Sequence, residues 1–406
     1  MRNRPKSHDK MISRVLARRF QSTLTRVKET NWQRIPHATV LCIGDQGHGK
    51  TNLAHNLSNW SYDDISKQSH SPNFDKPSNR FVTTSTCWIE YEVETKNAKN
   101  RSKNENSSKP DSNRFHIAHL DTPGDFLASS LTPAFSAFDI VVWVVDAETG
   151  VTTTSHLDLA KQMSSHSDFE KRVVVYLRNS ENLDEETLEL ITSDLQDNLE
   201  ELTLDSAKIV QTPESVSNKI AELLSKVDLK SGYRDDDLSF IPIERAFTVT
   251  NVGKVCVGIL NGKLKFQPKV KMDLVGHDKI FPVEATSTGM FFKQMKLNEP
   301  GDRANCLIKG KTKGFEKIAK KGAVLVPEGK GQDYFSKNIS FMPELEPGVG
   351  ASKFTRVAAH TWSMPIDNLD PGNVEIQYKQ FIRKGDKMAF FSGTGDFHVA
   401  KVTKLG

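Results

Sequence analysis

The chain has 406 residues, 37% of them hydrophobic, and a net charge of +4, which is enough for two or three domains with substantial cores. Its longest apolar stretch, Ile140–Val145, stops at Asp146, short of a bilayer-spanning helix, and its four cysteines lie far apart with no CxxC; no membrane role, zinc site or disulfide framework is expected, only buried thiols in a reducing compartment. The charge is uneven, with +8 over residues 1–40, −14 over 41–240 and +10 over 241–406, and the basic C-terminal half suits either a polyanionic partner such as RNA or attraction to the acidic half across a domain interface.

Residues 1–36 are Arg-rich and acid-poor. Ile12, Val15, Leu16 and Phe20 fall on one helical face, with Arg14 and Arg18 off it. This is the pattern of a mitochondrial transit peptide, with a basic nucleic-acid-binding tail as the alternative. Ala38–Ile43 is a β-rich apolar run. Gly44-Asp45-Gln46-Gly47-His48-Gly49-Lys50-Thr51 follows it, and a helical segment with Leu53 and Leu57 on one face follows that. The spacing G-x-x-x-x-G-K-T between a strand and a helix is that of a phosphate-binding loop. Its glycines let backbone N–H groups turn around an anion at a helix N-terminus. Lys50 is placed for the β/γ-phosphates and the Thr51 hydroxyl for Mg²⁺.

A polar loop is expected over Ser61–Asn79, a strand over Phe81–Val93, and a solvated low-complexity tip over Lys96–Asn113. Arg114–Leu120 reads as the returning strand, ending at Asp121-Thr122-Pro123-Gly124. Ile140–Val145 has the continuous apolar character of a buried parallel strand. Helices are expected over Thr154–Met163, Asp184–Leu202 and Glu214–Val227, and strands over Arg172–Leu177 and Ala207–Val210. This alternation gives a doubly wound α/β domain. After the acidic connector Gly232–Leu238 the helical period vanishes. Short β-rich runs at Ala246–Thr250, Lys254–Leu260, Val270–Val275, Phe281–Ala285, Ala304–Ile308 and Ala323–Val326 predict a barrel. A second β segment covers Phe335–Gly406.

In their order these pieces resemble translational GTPases, most closely the mitochondrial elongation factor Tu family, over about residues 37–406. Besides the phosphate loop, the resemblance is carried by Asp121-Thr122-Pro123-Gly124, which looks like the family's D-x-P-G, and by Arg80-Phe81-Val82-Thr83, which stands where the family has R-G-I-T. Ile89-Glu90-Tyr91, Pro242-Ile243-Glu244, Gly289-Met290-Phe291 and Glu299-Pro300-Gly301-Asp302 extend it.

The resemblance implies an α/β P-loop GTPase domain with a doubly wound sheet, followed by two all-β barrels. The expected divisions are a transit peptide over 1–36, a GTP-binding domain over 37–236, and barrels over 237–331 and 332–406, the last one shortened. It implies GTP/GDP and Mg²⁺ as ligands. Gly44, Gly47, His48, Gly49, Lys50, Thr51 and Gly124 would bind phosphate, and Thr51, Thr83 and Asp121 would hold the metal. The implied function is delivery of aminoacyl-tRNA to the ribosome in the mitochondrial matrix, by a monomer served by a nucleotide exchange factor. The alternative is a divergent paralogue that binds nucleotide, hydrolyses it poorly and acts as an interaction module.

The departures from the family are specific. Asp125 stands where the family has a water-positioning His. Gln46 replaces an apolar gating residue, and Gly47 replaces an Asp. The guanine-reading N-K-x-D falls in Leu177-Arg178-Asn179-Ser180-Glu181-Asn182-Leu183, where three registers are open. One makes Asn179 and Asn182 the readers, the second makes Arg178 and Glu181 the readers, and the third leaves Leu177 and Ser180 there and loses the motif. In the aminoacyl-tRNA pocket, Gly289 replaces a Glu, Phe292 an Arg, Arg303 an Asn and Trp88 a His.

Overall fold

The computed structural model describes residues 35–58, 86–95, 114–124, 132, 138–229, 237–249, 252–263, 265–291, 293–310, 312–343 and 353–406, and the backbone of 72–75 and 80–83. The leader, the 96–113 tip, Asp125, Phe292, most of the 61–79 loop and most of the acidic connector lie outside the described residues. The chain divides into two compact units on either side of the connector.

In the first unit the elements run β1 (His37–Ile43), α1 (Lys50–Leu57), the hairpin β2 (Pro72–Asp75) and β3 (Arg80–Thr83), β4 (Cys87–Glu94), β5 (Arg114–Asp121), β6 (Ile140–Asp146), α2 (Ser155–Met163), β7 (Val173–Arg178), α3 (Glu185–Glu201), β8 (Lys208–Val210) and α4 (Pro213–Leu224). Six of the strands form one sheet in the order β4-β5-β1-β6-β7-β8. β4 is antiparallel and the rest are parallel.

The central strands are buried along their whole length, as strands covered on both faces must be. One face packs Val40, Cys42, Val142 and Val144 against Leu53 of α1 and Val216, Ile220 and Leu224 of α4. Helix starts are marked by side-chain caps. Asp184 accepts from the Thr187 N–H at 2.9 Å, and Thr212 accepts from the Ser215 N–H at 3.1 Å, each satisfying a donor the helix cannot. The acidic α3 buries only Leu195 and Leu199.

The second unit holds two β structures. The first is an eight-stranded antiparallel sheet of β9 (Ile241–Pro242), β10 (Arg245–Val249), β11 (Gly253–Ile259), β12 (Val270–Gly276), β13 (Lys279–Met290), β14 (Lys293–Met295), β15 (Arg303–Gly310) and β16 (Val324–Pro327), with a one-turn helix α5 (Phe315–Ile318) before β16. Residues 241–244 join its ends: Ile243 N–H donates to Ala323 at 2.7 Å and Glu244 N–H to Val257 at 2.9 Å. The second is a closed barrel of β17 (Phe335–Met342), β18 (Phe354–Ala359), β19 (Trp362–Asp370), β20 (Asn373–Phe381), β21 (Lys387–Ser392) and β22 (Phe397–Leu405). The fold class is therefore the one the sequence predicts.

The two barrels pack on each other through Phe240, Val275, Val324, Val326 and Phe381. Arg383 lies over the Phe240 ring at 4.2 Å. The β12–β13 hairpin turns through His277 (φ 50) and Asp278 (φ 62), the left-handed pair that matches the strands' twist. Its Asp278 reaches the second barrel at two points. The Asp278 N–H donates to the Lys379 carbonyl at 3.2 Å, and its carboxylate accepts the Lys379 N–H at 2.6 Å. All four cysteines are buried free thiols.

Candidate functional site

β1 ends at Ile43 and α1 begins at Lys50, so the loop between them lies at the carboxyl edge of the parallel strands, where open α/β sheets bind ligands. Gly44 has φ 140, and a Cβ there would stand 2.3 Å from the Val144 carbonyl oxygen. Only glycine lets the loop leave β1 this close to β6. Gly47 (φ 85) and Gly49 (φ 90) complete the turn. The Leu53 N–H donates to Gly49 at 2.9 Å, closing the first turn of α1. Lys50 is buried, and its Nζ donates to the carbonyls of Gly44 (2.7 Å) and Asp45 (2.8 Å). The amine thus sits within the ring of backbone groups it is expected to share with phosphates. His48 is also buried, with Nδ1 3.4 Å from the Val144 carbonyl oxygen.

β5 brings the D-x-P-G turn to the same place. The Thr51 hydroxyl donates to Asp121 Oδ2 at 2.7 Å, and the Thr122 hydroxyl donates to the Cys42 carbonyl at 2.7 Å, fastening the turn to β1. A Cβ on Gly124 would stand 2.2 Å from the Gln46 N, so the turn lies against the phosphate loop itself. Asp121 is fully buried. Burial raises its carboxyl to about 6, against the opposing pull of the Thr51 hydrogen bond and the Lys50 charge. Its Oδ1 has no hydrogen-bond partner among the described residues.

A hydroxyl and a carboxylate in contact, with one buried carboxylate oxygen unpartnered, fit a small hard cation with oxygen ligands. Among the described residues no cluster of three or more His, Cys, Asp or Glu could hold a metal; Mg²⁺ is an ion that takes one or two protein ligands and completes its shell from phosphates and water. Thr83 lies at the end of β3, and its side chain is outside the described residues.

Further groups line the loop, of which the sequence singled out only Arg178, as a base reader in one of three registers. Asp45 accepts from the Thr152 hydroxyl, and its Oδ1 lies 3.8 Å from His156 Nδ1. Burial lowers His156 to about 4, outweighing the upward pull of Asp45. On the far side of the loop, β6 ends at Asp146 and β7 at Arg178, paired in register. Arg178 Nη1 donates to Asp146 Oδ2 at 3.2 Å. A Cβ on Gly49 would stand 2.6 Å from Arg178 Cδ, so this side chain lies across the residue before Lys50.

Of the base-reading candidates, Asn179 (φ 59) donates its amide to Asp146 at 3.0 Å, and Asn182 donates to Glu148 at 3.0 Å. Glu181 is exposed on the 3₁₀ turn Ser180–Asn182. Asp146 could have been flagged as the charged end of an apolar strand.

In the first barrel, Arg303 is buried and ion-paired with buried Glu244, and its guanidinium lies 5.4 Å from the Phe291 ring centre. Burial raises the Glu244 carboxyl, with Arg303 opposing. Asn305 donates its amide to the Phe291 carbonyl.

A family model of the elongation factor Tu GTP binding domain matches residues 35–296. Among solved structures the chain is similar to a bacterial selenocysteine-specific elongation factor, with a TM-score of 0.68 and 19% identity, covering 91% of this chain and 58% of that one. It is also similar to the translation elongation factor SelB of Methanococcus maripaludis. The apo form gives a TM-score of 0.63 and the form bound to the GTP analogue GPPNHP gives 0.65, each at 14% identity over 92% of this chain and 80% of that one. At these identities the likeness is one of fold, and the chain spans little more than half the length of the bacterial factor.

Proposed function

This chain belongs to the elongation factor Tu GTP-binding domain family and is by that membership a translation-factor-like GTPase; from this we propose that it works in mitochondrial protein synthesis, carrying aminoacyl-tRNA to the ribosome in a GTP-dependent cycle. The observation that carries the nucleotide part is the convergence of Lys50, Thr51 and Asp121 on one buried point. Lys50 would move its charge onto the β/γ-phosphates. Thr51, Asp121 and Thr83 would hold Mg²⁺, which neutralises phosphate charge when bound. The N–H of Gly124, on a turn packed against Gln46, would face the γ-phosphate.

Replacing Lys50 by Ala removes two charge-assisted contacts worth about 1.5–3 kcal/mol each, so GDP affinity should fall by roughly 10²-fold or more. Calorimetry giving equal GDP affinity for wild type and Lys50→Ala would sink this reading.

The mitochondrial part rests on the basic, amphipathic leader, and the tRNA part on family resemblance. A second reading, a nucleotide-binding paralogue that serves as an interaction module, is favoured by Arg303. Where the resemblance puts an Asn that holds the esterified amino acid, this chain has a guanidinium buried against Glu244. Filter binding of charged tRNA with GTP separates the two: retention with sub-micromolar affinity supports the carrier, and no retention above that of uncharged tRNA supports the module.

A further inference from the structure

We infer that His156 is a positioning residue of the phosphate loop: when a nucleotide enters, it takes a proton from solvent, pairs with Asp45 and cancels the carboxylate that this loop carries. This rests on the reading that the loop of Gly44–Thr51 holds a nucleoside polyphosphate.

An acid in a loop built to surround an anion is a conflict of charge. Asp45 is the second residue of that loop. Its backbone carbonyl accepts from Lys50 Nζ at 2.8 Å, so the carboxylate sits on a residue that holds the phosphate-binding amine. One carboxylate oxygen, Oδ2, accepts from the Thr152 hydroxyl. The other, Oδ1, faces His156 Nδ1 at 3.8 Å, near enough for an ion pair and too far for a hydrogen bond.

His156 is the second residue of α2. Its ring is 6% exposed, and neither ring nitrogen has a hydrogen-bond partner among the described residues. A buried ring with both nitrogens unspent is costly, and a proton would give it Asp45 as a partner.

The charged groups that face the ring are Asp45 and Lys50. Burial brings His156 down to about 4, with Asp45 pulling it up and Lys50 pushing it down. The N-terminal turn of α2 also disfavours a cation. Two further groups are turned elsewhere: Asp158, on the same helix, accepts from the Gln162 amide at 3.0 Å, and His48 of the loop sets its Nδ1 3.4 Å from the Val144 carbonyl oxygen. At neutral pH the ring is therefore uncharged and leaves Asp45 uncancelled. A polyphosphate reverses the balance. Its negative charge favours an imidazolium, and it draws the Lys50 charge onto itself. The protonated ring then donates Nδ1–H to Asp45 Oδ1, closing the 3.8 Å gap.

A pKa raised in the bound state tightens binding as pH falls through the raised value, by at most about tenfold per pH unit. Asp121, at about 6, and the terminal phosphate titrate in the opposite sense, because both act as anions, so wild type is read against variants. GDP affinity of the full chain is measured by calorimetry between about pH 8 and about pH 6. Relative to His156→Gln, which stays neutral, wild type should gain about 5-fold or more in GDP affinity over that range, and should take up more protons on binding in buffers of different ionisation enthalpy. Asp45→Asn, which removes the conflict of charge, should bind GDP more tightly than wild type at about pH 8, with the advantage shrinking toward about pH 6. A ratio of wild type to His156→Gln that is the same at every pH would show a packing role and overturn the assignment. So would a constant ratio to Asp45→Asn, which decides the matter even if His156→Gln does not fold. Binding of no nucleotide by wild type instead overturns the phosphate-loop reading beneath it, and the assignment with it.

Discussion

We propose that the rate of this GTPase turns on Asp125. It follows Gly124, whose turn lies against Gln46 of the phosphate loop, and it stands where the family resemblance puts a histidine that orients water. A carboxylate near the γ-phosphate adds negative charge where the reaction needs negative charge stabilised. A loss of about 3–4 kcal/mol in transition-state stabilisation would slow turnover by roughly 10²–10³. Single-turnover GTP hydrolysis is accordingly expected to be slow and to rise in Asp125→His, with nucleotide affinity nearly unchanged. A wild-type rate equal to that of Asp125→His would mean that another group orients the water, and the module reading would lose its main support. The motif residues themselves could be read from sequence because the loop chemistry is local: glycine freedom, a lysine and a hydroxyl at fixed spacing. Arg178 could not be placed the same way. Its place beside Asp146 depends on the pairing of two strands 32 positions apart, and three registers of one short run are open from spacing, the third of them keeping the following acidic helix best in step.

Strands and turns show the same division between local and distant causes. β6 was evident because six apolar residues in a row need no partner to be recognised. The sequence predicts a strand over Phe281–Ala285, whereas β13 runs from Lys279 to Met290. Its second half, Thr286-Ser287-Thr288-Gly289, looks like a loop by composition. It follows a register shift between Ala285 and Ser287, and it is a strand because β14 and β15 supply hydrogen-bond partners. β9, with two residues, and α5, with four, are too short to leave a periodic trace.

The turn between β20 and β21 is organised by one carboxylate. Asp386 accepts from the Arg383 backbone N–H (2.8 Å), from Arg383 Nη2 (2.6 Å) and from His360 Nε2 (2.7 Å). Burial alone would raise its carboxyl, but the charges and hydrogen bonds of His360 and Arg383 outweigh it and bring it down to about 2. A carboxyl held below its unfolded value stabilises the fold in full above that unfolded value, and the contribution is lost as pH falls through the folded one. Asp386→Ala should cost about 3–5 kcal/mol at neutral pH, because the half-buried Arg383 loses its counter-charge and the buried His360 its hydrogen-bond partner. The gap between the urea midpoints of wild type and variant should stay constant down to about pH 4 and close as pH falls from there through about 2; a gap that does not close would show that the carboxylate charge contributes nothing.

Taken whole, the chain carries its charge in blocks, and the most basic per residue is the leader, at +8 over residues 1–40. An amphipathic, acid-poor segment of this kind is expected to act as an address rather than as part of a core. Fusing residues 1–40 to a fluorescent protein should send it to mitochondria, and diffuse signal would favour a nucleic-acid-binding tail instead. The domain plan was legible because the textures differ: strands and helices alternate before the connector, and short β runs follow it. The way the two barrels meet was not legible, since it rests on Phe240 and Phe381, which are distant in sequence and lie 5.3 Å apart between ring centres.

The hairpin tip that meets Lys379 has a mechanical consequence. One contact between two rounded bodies is a pivot, but two contacts from a single residue, one through its N–H and one through its carboxylate, form a key in a slot. Twisting one barrel against the other would break both bonds and slide the Phe240 and Phe381 rings over one another, so relative rotation is resisted. A turn of two residues thus adds a directional lock to the apolar contact between the barrels.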